Sequence, residues 1–303
     1  MPTVTDKRRT FHNLHKSGCF VIPNPWDIGS ARYLQHLGFK ALATTSVGFA
    51  FWQAHPDHAI SRDMTLAHLH AIVAATDLPV NADFEGGFAH DPEGVAENVR
   101  LAVETGVAGL SIEDLTGDKA RPLYDFDHAV ARVRAARQAV DRAGGDTLLV
   151  GRSEGFGQAG APDLDETIRR LKAYAAAGAD CLYAPGIKTR EQIAAIVTAV
   201  APKPVNVVIG APIGLTVADV AALGVRRISL GCGLARAAWG GFMRAVKLIV
   251  EDGKFDGLAE AASWAELNCL FAEDRKARAK TSIPTGTNRR DAYGELGKVH
   301  RAR

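Results

Sequence analysis

Between about residue 20 and residue 250 the chain alternates short apolar runs with longer stretches whose apolar side chains recur every three to four positions. The first pattern is that of strands buried on both faces, the second that of helices with one face in a core. The strands it predicts are Phe20–Pro23, Ala41–Ser46, Pro79–Asp83, Gly109–Asp114, Thr147–Arg152, Asp180–Pro185, Pro204–Val208 and Arg226–Gly231. The helices are Trp26–Leu37, Arg62–Thr76, Pro92–Thr105, Tyr124–Ala143, Leu164–Ala177, Arg190–Val200, Thr216–Leu223 and Leu234–Val250. Four of them run into Gly38, Gly106, Gly178 and Gly224, and glycine accepts the left-handed conformation that closes a helix. Eight strand–helix units in register predict an α/β fold, a (β/α)8 TIM-type barrel of parallel strands. A doubly wound open sheet is the alternative, but no G-x-G-x-x-G follows the first strand, and Gly155-Phe156-Gly157 comes only after the fifth.

Beyond the barrel, Phe255–Glu273 reads as one more helix, with an apolar stripe of Phe255, Leu258, Ala261, Ala262, Ala265 and Leu270. Lys276–Arg303 is basic, turn-rich and poorly periodic, a tail or an arm that orders on a neighbouring subunit. The expected division is a barrel domain over 1–252, an extra helix over 253–275 and a basic tail or arm over 276–303.

Composition supports one large core: 303 residues, 47% hydrophobic and 23% charged. With 36 Lys+Arg against 34 Asp+Glu, the formal charge of +2 implies no nucleic-acid partner. No run approaches the roughly 18 apolar residues of a membrane span, and Lys7, Arg8 and Arg9 are not followed by the apolar segment of a signal peptide. Cys19, Cys181, Cys232 and Cys269 are scattered without C-x-x-C pairing, which argues against zinc or a disulfide framework and for a cytoplasmic setting.

The chemistry concentrates where strands end. Pro79-Val-Asn-Ala-Asp83 is followed by Glu85, and Gly109-Leu-Ser-Ile-Glu113 by Asp114. Alternation along an extended chain sends Asp83 and Glu85 the same way, and a neighbouring strand brings Glu113 beside them. Three converging carboxylates repel one another unless a hard cation such as Mg2+ is present; the alternative is that each caps the helix after it. In a (β/α)8 barrel these C-terminal strand ends form the active-site face. The same rule brings in Ser46-Val47-Gly48 with Asp57 in the following loop, Arg152 with Glu154, Tyr183, Asn206 and Ser229. Arg152 suits a substrate carboxylate through paired hydrogen bonds, or alternatively a salt bridge to Glu154 or Glu113. His55, His58 and His90 form no H-x-x-x-H or H-E-x-x-H pattern and read as surface loop residues.

Taken in order, these residues resemble the isocitrate lyase/phosphoenolpyruvate mutase superfamily over most of residues 15–245. The markers are Asn24-Pro-Trp-Asp27 with Ser30-Ala31, Thr45-Ser46, Pro79-Val-Asn-Ala-Asp83, Ser111-Ile-Glu-Asp114, Gly151-Arg-Ser-Glu154, Gly178-Ala-Asp180 through Ala184-Pro-Gly186, and Leu223-Gly-Val-Arg-Arg-Ile-Ser229. The resemblance implies a Mg2+-dependent enzyme, Mn2+ being an alternative ion. Its substrate would be a small 2-oxo or 2-hydroxy acid, with a C–C or P–C bond broken through an enolate-like species. It also implies a last helix exchanged between subunits of a homodimer or homotetramer, a role that Phe255–Glu273 would fit. By matching position, Asp83 is implied as the direct metal ligand, with Asp57, Glu85 and Glu113 holding metal-bound waters. Arg152, Glu113 and Ser46 are the implied catalytic set, and Ser46, Val47, Gly48, Asp83, Arg152 and Asn206 are assigned to the substrate.

Two departures narrow the expectation. Glu85 stands where the family often has Asp, one methylene shorter. The loop Leu115–Tyr124 lacks the Lys-x-Cys-Gly-His segment of isocitrate and methylisocitrate lyases, so that activity is rejected; its cations, Lys119 and Arg121, read as solvated. The loop is nonetheless placed to close as a lid carrying the acid–base group. The lyase reading then stands beside hydrolysis of oxaloacetate or phosphonopyruvate, phosphonomutase chemistry, a Schiff-base aldolase using Lys188, and a non-catalytic barrel that binds a 2-oxo acid.

Overall fold

All eight expected strands form, and the computed structural model describes residues 2–160 and 162–281. They are β1 (Phe20–Ile22), β2 (Leu42–Ala43), β3 (Val80–Asp83), β4 (Gly109–Glu113), β5 (Leu148–Arg152), β6 (Cys181–Tyr183), β7 (Val205–Val208) and β8 (Arg227–Ser229). Every pairing is parallel, in the order β1-β8-β7-β6-β5-β4-β3-β2. No ladder joins β1 to β2, but the Ala43 N–H donates to the Pro23 carbonyl at 3.0 Å across that seam. Asn24 reinforces it: its amide donates to the Thr44 carbonyl at 2.9 Å and accepts from the Leu230 N–H at 2.8 Å, tying three strand ends together. The barrel is therefore nearly closed.

The helices are α1 (Val4–Leu14), α2 (Ile28–His36), α3 (Ser46–Trp52), α4 (Arg62–Ala75), α5 (Pro92–Glu104), α6 (Phe126–Arg142), α7 (Leu164–Ala176), α8 (Arg190–Val200), α9 (Val217–Ala222), α10 (Gly233–Asp252) and α11 (Trp264–Thr281). Side chains of Asp27, Ser61, Asp91, Asp163, Thr189 and Thr216 cap the N-termini of α2, α4, α5, α7, α8 and α9. Gly38, Gly106, Gly178 and Gly224 all take positive φ where those helices close, as expected of C-caps.

Two apolar layers follow from strand alternation. One face of the strands packs against the helices, through residues such as Leu110, Ile112, Leu149 and Leu182. The other face fills the barrel with Ile22, Ala43, Leu148, Val150 and Cys181. The floor of that interior is closed by α1, whose Phe11 is completely buried among them. Glycine at 109 makes room, since a Cβ there would stand 2.7 Å from the Phe11 ring. Lys7 donates to the Val73 and Thr76 carbonyls (3.0 and 2.6 Å), and Arg8 to those of Val103 and Val107 (2.8 and 3.1 Å). These cations satisfy orphan carbonyls at the ends of α4 and α5, where the helix dipole favours positive charge.

The chain divides into two compact units, Pro2–Leu258 and the segment from Ala259 onward. The C-terminal helix expected over Phe255–Glu273 begins instead at Trp264 and runs to Thr281. Gly253 ends α10 in the left-handed conformation (φ 65°) and Asp256–Leu258 forms a 3-10 turn, so the helical pattern is broken where the apolar stripe was read as continuous. The expected tail at 276–303 thus starts inside α11, and its part from 282 lies outside the described residues. In the first unit, α10 has only Ala235 and Ala245 buried, while Trp239, Phe242, Met243, Val246 and Val250 are exposed. Among the described residues no helix is long and apolar enough to cross a membrane.

Candidate active site

The C-terminal ends of β3, β4 and β5 bring Asp83, Glu113 and Arg152 to the barrel mouth, with Glu113 directly opposite Arg152 in the ladder. One guanidinium nitrogen, Nη1 of Arg152, lies 3.0 Å from Asp83 Oδ1 and 3.0 Å from Glu113 Oε2. Its Nε donates to Glu154 Oε1, and its guanidinium lies 5.2 Å from the Tyr183 ring. Asp83 is further fixed by Ser46, whose N–H and hydroxyl each donate to Oδ2 at 3.0 Å. The expected cluster of Asp83, Glu113, Arg152 and Ser46 is therefore assembled, and both salt bridges considered for Arg152 are present.

Glu154 is fully buried and accepts the Gln158 N–H at 2.9 Å, while its own N–H donates to Asp114 Oδ1 at 2.8 Å. Asp114 in turn accepts from Tyr174 (2.6 Å) and Arg170 (3.2 Å). These bonds hold the β5–α7 turn rigid beneath Arg152.

Glu85 and Asp57 join through a residue that the sequence pattern assigned to a surface loop. His58 Nδ1 is 3.4 Å from Glu85 Oε2, and His58 Nε2 is 3.6 Å from Asp57 Oδ2 and 2.8 Å from Gln158 Oε1. The Gln158 amide also donates to Asp57 at 3.2 Å. The Glu85 carboxylate raises His58 to about 10, with Gln158 and Asp57 adding to it and burial opposing. Glu85 adopts φ 48° and Phe88 φ 54°, a region that costs non-glycine residues roughly 1–2 kcal/mol. Buried Arg132 holds that turn, donating to the carbonyls of Ala89 (2.5 Å), His90 (2.6 Å) and Gly86.

Three expectations are revised by geometry. Asn206 does not reach the mouth: it is fully buried one layer below, bonded to Ser229 Oγ at 3.0 Å and to Arg227 Nε at 2.8 Å. Gly48 does not offer its N–H to a ligand, because that group donates to Thr45 Oγ1 at 3.1 Å to cap α3; a Cβ at 48 would also meet Thr45 at 2.5 Å. The segment 115–124 is no open lid. Leu115 and Leu123 form an antiparallel bridge, the Thr116 N–H donates to the Pro122 carbonyl at 2.9 Å, and the Tyr124 N–H to that of Asp114 at 3.0 Å.

Two cavities flank the carboxylates. One, of about 420 Å³, is lined by Ser46, Val47, Asp83, Glu113, Arg152 and Tyr183 together with residues after β6, β7 and β8. The other, of about 570 Å³, lies beside Glu85, Glu113 and His58 under the 115–124 hairpin, and takes in Lys119, His90 and Tyr124. Lys119 and Arg121 are exposed.

The donor set fits a hard divalent ion. Glu113 Oε2 is buried without a hydrogen-bond partner, and burial lifts the Glu113 carboxyl to about 8, Arg152 pulling it down while Glu154 and Asp83 push it up. A cation relieves that burden. Among the described residues no three His, Cys, Asp or Glu side chains converge as a ready-made cage. A few carboxylates with water completing the shell is the habit of Mg2+ rather than of zinc.

Comparison with known proteins agrees with this chemistry. The family described as phosphoenolpyruvate phosphomutase matches residues 11–250. A solved structure from Burkholderia cenocepacia, described as a lyase/mutase, is 48% identical with a TM-score of 0.86, covering 89% of this chain and 97% of that one. An oxaloacetate decarboxylase of Paraburkholderia xenovorans is 33% identical over 233 residues, 74% of each chain. A phosphonopyruvate hydrolase solved with oxalate and Mg2+ is 26% identical with a TM-score of 0.79, covering 91% of this chain and 99% of its own.

Proposed function

The chain belongs to the phosphoenolpyruvate phosphomutase family, within the isocitrate lyase/phosphoenolpyruvate mutase superfamily of Mg2+-dependent enzymes that cleave C–C or P–C bonds, and we propose that its own reaction is C–C cleavage of a small 2-oxo or 2-hydroxy acid. The observation that carries this reading is Arg152, set between Asp83, Glu113 and Glu154 on the wall of a cavity large enough for such an acid. Asp83 would hold Mg2+ directly, with Glu113, Glu85 and Asp57 holding its waters, and the ion supplies stabilisation of negative charge on an oxygen next to the breaking bond. Arg152 grips the substrate carboxylate and sets its orientation. Ser46 fixes the Asp83 carboxylate, and His58 with Gln158 keeps Glu85 and Asp57 in place. Hydrolase or phosphonomutase chemistry would use the same residues; C–C cleavage is preferred on the likeness to the oxaloacetate decarboxylase. Lys188 stands exposed at the cavity rim, and the Schiff-base reading has no support in an acid cluster that such chemistry does not need.

Turnover tests it. Oxaloacetate, 2-methylmalates and phosphonopyruvate are incubated with the protein, and at least one of the carbon acids is expected to be consumed, to stop with EDTA and to resume with Mg2+. Turnover indifferent to EDTA, or a covalent borohydride adduct on Lys188, contradicts the reading.

We further propose that the active form is a homodimer or homotetramer in the cytoplasm. The exposed apolar side chains of α10 form a face that a second copy of the chain would cover, and the four cysteines are all free, as in a reducing compartment. Light scattering behind size exclusion is expected to give a multiple of the 32.2 kDa chain mass; a monomer at micromolar concentration rejects it.

A further inference from the structure

Two cations on the wall of the substrate cavity take no part in the chemistry above. Lys188 follows β6 and Arg236 lies at the start of α10, and both line the cavity that contains Ser46, Asp83 and Arg152. Both are exposed, and among the described residues neither side chain has an acidic partner, although the cavity is rich in carboxylates. Those carboxylates come from β3, β4 and β5, whereas the two cations come from the segments after β6 and β8, on the other side of the ring of strands. The lining from that second side is otherwise largely apolar, with Ile187, Val208, Ile213 and Leu230.

We propose that Lys188 and Arg236 form a subsite for a second anionic group of the substrate, held away from the reacting head by an aliphatic stretch. The inference rests on the functional reading above for where the head sits, and it names the substrate class: a 2-oxo or 2-hydroxy acid with a distal carboxylate. Three physical points support it. A cavity of about 420 Å³ falls within the roughly 300–1,000 Å³ of pockets for molecules much larger than a three-carbon acid. Burying a distal carboxylate against an apolar wall is costly unless a cation meets it. Arg236 offers a planar fork and Lys188 a mobile point charge, a pairing suited to a carboxylate at the end of a flexible chain.

Calorimetry with Mg2+ and three probes decides. Oxalate reports the head site alone, while 2-oxoadipate and 2-oxohexanoate share a chain length and differ in the distal carboxylate. The parent protein is expected to bind 2-oxoadipate at least about tenfold more tightly than 2-oxohexanoate, as a charge-assisted contact supplies. Lys188→Gln and Arg236→Gln should each remove most of that preference and leave oxalate binding unchanged. Equal affinities for the two longer acids in the parent overturn the subsite while leaving the head site intact. Variants that weaken oxalate as much as 2-oxoadipate also overturn it, since the cations then act only as a general field. Absence of oxalate binding in the parent overturns the functional reading, and this inference with it.

Discussion

Replacing Asp83 by alanine is expected to reduce Mg2+-dependent turnover by about a thousandfold or more while leaving a folded barrel. Asp83 ends β3 and is the one carboxylate held from both sides, by Ser46 through Oδ2 and by Arg152 through Oδ1. Its side chain is 19% exposed, so truncation opens no dry cavity in the core. Arg152 keeps Glu113 and Glu154 as partners, so no buried cation is stranded. Loss of the hydrogen bonds to Asp83 is expected to cost about 1–3 kcal/mol, read as a modest fall in the denaturant midpoint. A variant that unfolds outright, or one that keeps parental turnover, contradicts this placement.

Much of this was legible beforehand because barrel strands obey a simple rule. Each is buried on both faces, is bounded by a helix cap and a closing glycine, and delivers its last inward residue to one face of the molecule. That logic located Asp83, Glu113 and Arg152 without any contact information. It failed where depth or long-range reach decides. Asn206 has the correct parity, facing inward, but the stagger of strands around a barrel leaves it a layer deeper, beside Arg227. His58 reads as a loop residue because its partners, Glu85 and Gln158, come from elements far along the chain. The buried cations of α1 make sense only once the carbonyl ends of α4 and α5 exist to receive them. The short α3 was read as a turn, since Ser46–Trp52 is too brief to show a helical period. Glu154 was visible as a strand-end acid, yet its burial and its hold on Arg152 were not.

Arg152→Met is expected to have the second large effect, and of a different kind. Methionine keeps much of the length and removes the charge that offsets Asp83, Glu113 and Glu154, the last two almost wholly buried. Stranding buried carboxylates costs about 3–5 kcal/mol, so the variant should unfold at clearly lower urea concentration than the parent. Its kcat/KM should fall by about a thousandfold, since the carboxylate grip is lost as well. Arg152→Lys should regain part of the stability but little of the activity, because one ammonium cannot serve Glu154 through Nε and the other two acids through Nη1. Metal binding should survive in both variants, in contrast to Asp83→Ala. Unchanged urea stability of Arg152→Met would mean that the guanidinium is not what holds these carboxylates together.

The central claim is that Asp83 anchors a divalent cation at the mouth of this barrel. Electron paramagnetic resonance of Mn2+ titrated into metal-stripped protein tests it most directly, comparing the parent with Asp83→Ala at equal concentration. The prediction is saturable Mn2+ binding in the parent, displaced by Mg2+, and its loss in the folded variant. Equal Mn2+ affinity in both proteins, or none in the parent, would contradict it.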